Sequence, residues 1–107
     1  MLEEPNIIDM ILDEQGQAVL VVVDAAITED KVQRRKLLDA KLQNYAKALA
    51  GGNLKDLPDP QQAKIRIVCA DPPEAVYGGL NSLSIASSNG QAYTIPVTFQ
   101  HLPSQYG

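Results

Sequence analysis

Residues 17–24 read Gln-Ala-Val-Leu-Val-Val-Val-Asp, and this run decides the fold. Its almost pure valine and leucine composition is that of a buried interior strand. Upstream, residues 7–12 alternate, with Ile8, Met10 and Leu12 on one side and Ile7, Asp9 and Ile11 on the other. Between the two lies Asp13-Glu14-Gln15-Gly16, a turn composition, so the strands pair as a hairpin.

Downstream of the hairpin, Thr28 followed by Glu29 and Asp30 predicts a helix start. The threonine oxygen can cap free N–H groups, and the carboxylates meet the positive end of the helix dipole. Gly51-Gly52 supplies the stop. Leu38, Leu42, Tyr45 and Leu49 recur at helical spacing, flanked by Val32 and Leu37, and this stripe lays the helix across the hairpin. Asn53 to Gln62, with Pro58 and Pro60, is a loop. Ala63 to Ala70 alternates again, Ile65, Ile67 and Cys69 opposing Lys64, Arg66 and Val68, which gives a third strand.

Asp71-Pro72-Pro73-Glu74 suits the first turn of a second helix over residues 74–88, placing Val76, Leu80 and Leu83 against the sheet. Gly78-Gly79 and the serines weaken that helix. The rival reading makes Leu83-Ser84-Ile85 a short strand that turns at Asn89-Gly90. The helix is the preferred reading. Ala92 to Phe99 forms the last strand, with Pro96 placing it at an edge. The expected fold is an α+β two-layer sandwich in the order β-β-α-β-α-β. It has a four-stranded mixed sheet with both helices on one face, and residues 1–107 form a single domain with loose ends at 1–5 and 100–107.

Three stretches carry a resemblance: Pro5-Asn6-Ile7-Ile8-Asp9, Val19-Leu20-Val21-Val22-Val23-Asp24, and Lys41-Leu42-Gln43-Asn44-Tyr45 through Gly51-Gly52-Asn53-Leu54. They resemble a family of small bacterial proteins known only as a domain of unknown function. The resemblance covers the first half of the chain and the later elements in outline. It implies the element order and a bacterial origin, and it transfers no activity. Members of that family usually carry a tryptophan soon after the aspartate that closes the second strand, whereas Asp24-Ala25-Ala26-Ile27 has none.

The balance of 45% hydrophobic and 21% charged residues over 107 positions is that of a globular domain. At this length folding buries roughly two thirds of the unfolded surface, so one core suffices without metal or disulfide. A net charge of −4 argues against nucleic acid and permits basic protein partners. A single cysteine, an acidic start and the lack of a long apolar run point to the cytoplasm, with no membrane contact.

No enzyme signature emerges. His101, the only histidine, sits near the C-terminus and reads as a solvated surface residue. Cys69 shares its side of the strand with Ile65 and Ile67 and reads as core. The glycine pairs match no phosphate or dinucleotide motif. No catalytic residue, cofactor or metal ligand is assigned. Asp24 and Asp71 each end a strand, where α/β sheets gather ligands, and they converge if those strands run parallel. Turn or cap roles are the preferred explanation, because no base, metal ligand or phosphate loop accompanies them.

Two surfaces remain as partner candidates. Lys31, Arg34 and Arg35 extend the helix stripe toward its N-terminus and are expected to overhang the sheet as a basic patch, or to form a solvated turn with Asp30 beside Arg34. With both helices on one face, Ile7, Ile11, Val19, Val21, Val23 and Val68 gather on the other, beside Asp9, Lys64 and Arg66. Such a face suits a face-to-face homodimer, unless the loop or the tail covers it. The expected function is a non-catalytic protein-interaction or accessory domain, of the immunity kind among others. The alternative is a small enzyme or ligand-binding domain using the strand-end carboxylates.

Overall fold

A computed structural model describes residues 1–51, 63–86, 90 and 92–102. The elements are β1 (Met10–Glu14), β2 (Gln17–Asp24), α1 (Lys31–Gly51), β3 (Ala63–Cys69), α2 (Glu74–Tyr77), β4 (Ser82–Ala86) and β5 (Ala92–His101). The expected loop at 53–62, the second glycine of the Gly51-Gly52 stop and the residues beyond 102 lie outside the described residues, as does Asn89 of the Asn89-Gly90 turn.

The fold is α+β, and the sheet is mixed and open in the order β1-β2-β3-β5-β4. It has five strands, not four. The central β2, β3 and β5 run parallel to one another, while β1 and β4 are antiparallel edges. A parallel neighbour requires a crossover, and α1 supplies the one between β2 and β3.

Gln15 and Gly16 make the hairpin turn with φ of 55° and 83°, the two positive values of a turn whose twist matches its strands. This short turn fixes the register: Met10 faces Val21, Ile11 faces Leu20 and Leu12 faces Val19. Because side chains alternate, the register also sets the faces. Ile11 lies on the helix-bearing side with Leu20, contrary to its expected place on the open face, and Leu12 packs instead with Val19, Val21 and Val68 on the opposite side. Ile7 precedes the strand and is 51% exposed.

Asp30, not Thr28, caps α1. Its Oδ1 accepts the Gln33 N–H at 3.0 Å, and its carbonyl accepts the Arg34 N–H at 2.9 Å. Thr28 Oγ1 donates instead to Glu3. Leu38, Leu42, Tyr45 and Leu49 are buried as the spacing predicts, against Leu20, Val22, Ile65, Ile67, Ile95 and Val97 of the sheet. Val32 does not flank this contact and is 67% exposed.

The segment after β3 corrects the preferred reading. The second helix lasts only from Glu74 to Tyr77, and Gly79 leaves it with φ 87°. The following residues form β4, where Leu83 faces Ile95 and Ile85 faces Tyr93 of β5. Two apolar side chains two residues apart between serines satisfy a strand, and the glycine pair stops the helix before it reaches them. β5 is therefore interior. Pro96 is tolerated because it precedes Val97, the first β5 residue paired with β3, and lies opposite the first residue of β4.

The face expected to be open is closed at its centre. Val19, Val21 and Val68 are buried, with Leu12, Val23 and Leu102 packed around them. Arg66 lies over the same face and grips Glu14 with both terminal nitrogens, at 2.7 and 2.8 Å, while Lys64 stands 3.6 Å from the same carboxylate. This removes the exposed valines on which a face-to-face homodimer rested. Residues 1–5, expected to be loose, include the buried Leu2, whose N–H donates to the Val23 carbonyl at 2.8 Å. At the other end His101 completes β5, and the Leu102 N–H donates to the Cys69 carbonyl.

Candidate functional site

Two charged side chains of α1 are buried, and each organises a polar cluster. Arg34 and Lys41 occupy the same stripe as Leu38, Leu42 and Tyr45, so the helix presses both into the sheet. A buried cation is stable only when paired and hydrogen-bonded.

Lys41 Nζ donates to the carbonyls of Met1, Glu4 and Ile7 at 2.7, 2.8 and 2.8 Å and lies 3.0 Å from Asp9 Oδ1. The other Asp9 oxygen accepts the Val23 N–H at 2.8 Å. The Asp9 N–H donates to the Tyr45 hydroxyl, which donates in turn to the Val21 carbonyl at 2.8 Å. Burial raises the pKa of Tyr45, keeping it a neutral donor. This cluster is architectural. It wraps the N-terminal segment around an ammonium and satisfies the edge of β2 beyond the end of β1.

The second cluster lies where the parallel strands end. Asp24 closes β2, and Asp71 follows β3 by two residues. Arg34 bridges them, Nη2 to Asp24 Oδ2 and Nη1 to Asp71 Oδ2, both at 2.7 Å. The expected convergence of these carboxylates is therefore present. Asp24 is fully buried and also accepts the Tyr77 hydroxyl at 2.5 Å and the Ala26 N–H at 3.1 Å. Asp71 is 50% exposed. Burial acts to lower the pKa of Arg34, but its hydrogen bonds to Asp24 and then Asp71 outweigh that, and the net shift is upward. Burial, followed by the bond to Asp24, raises the pKa of Tyr77.

Beside this cluster opens a cleft of about 450 Å³, lined by residues that include Pro72, Glu74, Tyr77, Gly79, Phe99 and His101. Tyr77 and Phe99 stack as its aromatic backing, with ring centroids 5.9 Å apart and planes 16° from parallel. His101 is exposed, and its Nε2 lies 3.2 Å from the Ala70 carbonyl. Cys69 is buried beneath the strand ends, and burial, with Asp24 second, pushes its thiol up to about 12.

The basic patch expected from Lys31, Arg34 and Arg35 is not formed as such. Arg34 turns inward to Asp24, not outward to Asp30. Arg35 pairs with Asp39 at 3.1 Å, and Lys31 is left exposed. Val23 is partly buried, and Arg66 is committed to Glu14. Sequence reasoning missed Lys41, Tyr77 and the cleft. The signal for Lys41 was available: a lysine on a buried stripe opposite an aspartate in the apolar approach to β1.

No group of three or more histidine, cysteine or acidic side chains placed to hold a metal occurs among the described residues. No helix among them is long and apolar enough to cross a membrane. Comparison with protein-family models, with curated proteins and with solved structures gave no match.

Proposed function

We propose that the chain is a non-catalytic binding domain, an accessory module that recognises a protein partner at the carboxyl end of its parallel strands. The supporting observation is the use made of the strand-end carboxylates. Arg34 engages both Asp24 and Asp71, and Asp24 is sealed from solvent, so the carboxylate pair that the enzyme reading requires is committed to a structural tie. Cys69 is held as a neutral thiol by burial. What the site offers outward is a cleft within the size range of small binding sites, roughly 300–1,000 Å³, with an aromatic backing.

Affinity capture from a lysate of the source organism, run in parallel with a Pro72→Trp variant that fills the cleft mouth, tests this reading. Pro72 is exposed, so the variant should retain the fold. The expected result is a specific partner retained by the native chain and lost by the variant. Equal recovery by both, or no specific recovery by either, would overturn the proposal.

A further inference from the structure

We propose that the cleft accepts an arginine side chain presented by the partner, an inference that rests on the binding-domain reading above. Among the described residues, the lining joins one carboxylate to an apolar aromatic surface. Glu74 is exposed, and among the described residues it has no ion-pair partner. Among the described residues, neither lysine nor arginine lines the cleft. Asp71, adjacent in the chain to the lining Pro72, is half exposed with its charge shared by the buried Arg34. Among the described residues Glu74 is therefore the unpaired carboxylate of the lining, beside His101, on a chain whose net charge is −4.

In the same lining the half-buried Phe99 ring stacks on Tyr77, and Tyr77 is held by its bond to Asp24. A rigid aromatic surface beside an unpaired carboxylate favours a flat cation. The guanidinium group stacks on an aromatic ring through its face and forks onto a carboxylate through its edge. A lysine ammonium, a strongly hydrated point charge, makes only the second contact well. The apolar stem of arginine suits the proline and leucine walls formed by Pro72, Pro73 and Leu80.

Titration of the isotope-labelled chain with N-acetyl-arginine methylamide, followed by amide NMR shifts, tests the assignment. The citrulline and lysine counterparts serve as matched probes. Arginine should move the Gly78, Gly79 and His101 amides and bind about fivefold more tightly than citrulline, the ratio expected of an exposed cation–π contact with a charge-assisted hydrogen bond. Lysine should fall between them. Glu74→Gln should remove the arginine preference while leaving the rest of the spectrum in place. Absence of shifts at these amides, or equal binding of arginine and citrulline, overturns the inference. If the partner is nevertheless captured by the native chain and lost by Pro72→Trp, the binding-domain reading stands and only the arginine assignment fails.

Discussion

Arg34 and Asp24 meet inside the protein, with Nη2 2.7 Å from Oδ2 and both side chains almost wholly screened from water. One belongs to the first turns of α1, and the other is the last residue of β2. Their contact ties the helix to the carboxyl ends of the parallel strands. Tyr77, bonded to the same aspartate oxygen, extends that tie to the backing of the cleft. The geometry of the proposed binding site thus depends on an ion pair beneath it.

Removing one partner of a buried pair strands the other's charge, at a cost of about 3–5 kcal/mol. Arg34→Met should therefore lower the urea midpoint by that amount of stability with an unchanged denaturant slope. Combining it with Asp24→Asn should recover part of the loss, because the uncompensated carboxylate disappears with its partner. A midpoint unmoved by Arg34→Met, or strictly additive losses, would show that the pair carries no coupling.

Lys41→Met replaces an ammonium by a side chain of similar length that satisfies none of the Met1, Glu4, Ile7 and Asp9 oxygens around it. A loss of about 3–5 kcal/mol is again expected. Here it should be accompanied by release of the N-terminal segment. Hydrogen exchange separates this from general destabilisation: the Leu2 and Val23 amides, bonded to Val23 O and Asp9 Oδ2, should lose protection before β3 does. Uniform loss across the sheet would mean that Lys41 does not anchor the segment locally.

Much of this fold was legible because periodicity reports burial. The stripe through Leu38, Leu42, Tyr45 and Leu49 and the run through Val19–Val23 each have one physical solution. Hairpin register was not legible: the tight turn at Gln15-Gly16, rather than the apolar pattern of residues 7–12, starts β1 at Met10 and turns Ile11 toward the helix. Leu83 and Ile85 fit both candidate structures until the glycines before them are allowed to end the helix. At the site, Asp24 and Asp71 were visible as strand-end carboxylates. What joins them was concealed, because a charged residue on a helix is ordinarily solvated, and only the three-dimensional approach of Asp24 makes burial of Arg34 favourable.

The outer face should respond to acid. Hydrogen bonding from Arg66 is the main cause that lowers the Glu14 pKa from its ordinary 4.5 to about 2. A carboxyl group whose pKa is depressed by folding stabilises the native state above its unfolded value, and that contribution fades as pH falls from about 4.5 to about 2. NMR titration of the Glu14 side chain should place its midpoint near the lower limit. Arg66→Gln should return it toward 4.5 and flatten this part of the acid dependence. A Glu14 midpoint that ignores Arg66→Gln would break the link between this ion pair and acid stability.

Cys69 offers a chemical reading of how firmly the strand ends are closed. Burial pushes its thiol up to about 12, so at pH 8 the native chain holds it as the unreactive thiol, and that sulfur is screened from reagent. Iodoacetamide should therefore modify the native chain far more slowly than the chain in urea, at a rate set by opening of the structure. Because Arg34 closes the same end of the sheet, Arg34→Met should accelerate the reaction by roughly 10²- to 4 × 10³-fold if its 3–5 kcal/mol is lost from that opening step, with tenfold per 1.4 kcal/mol. Complete modification of the native chain within minutes would show an accessible thiol and make Cys69 a candidate nucleophile. Acceleration by Lys41→Met but not by Arg34→Met would place the controlling contact at the N-terminal segment instead of at the strand ends.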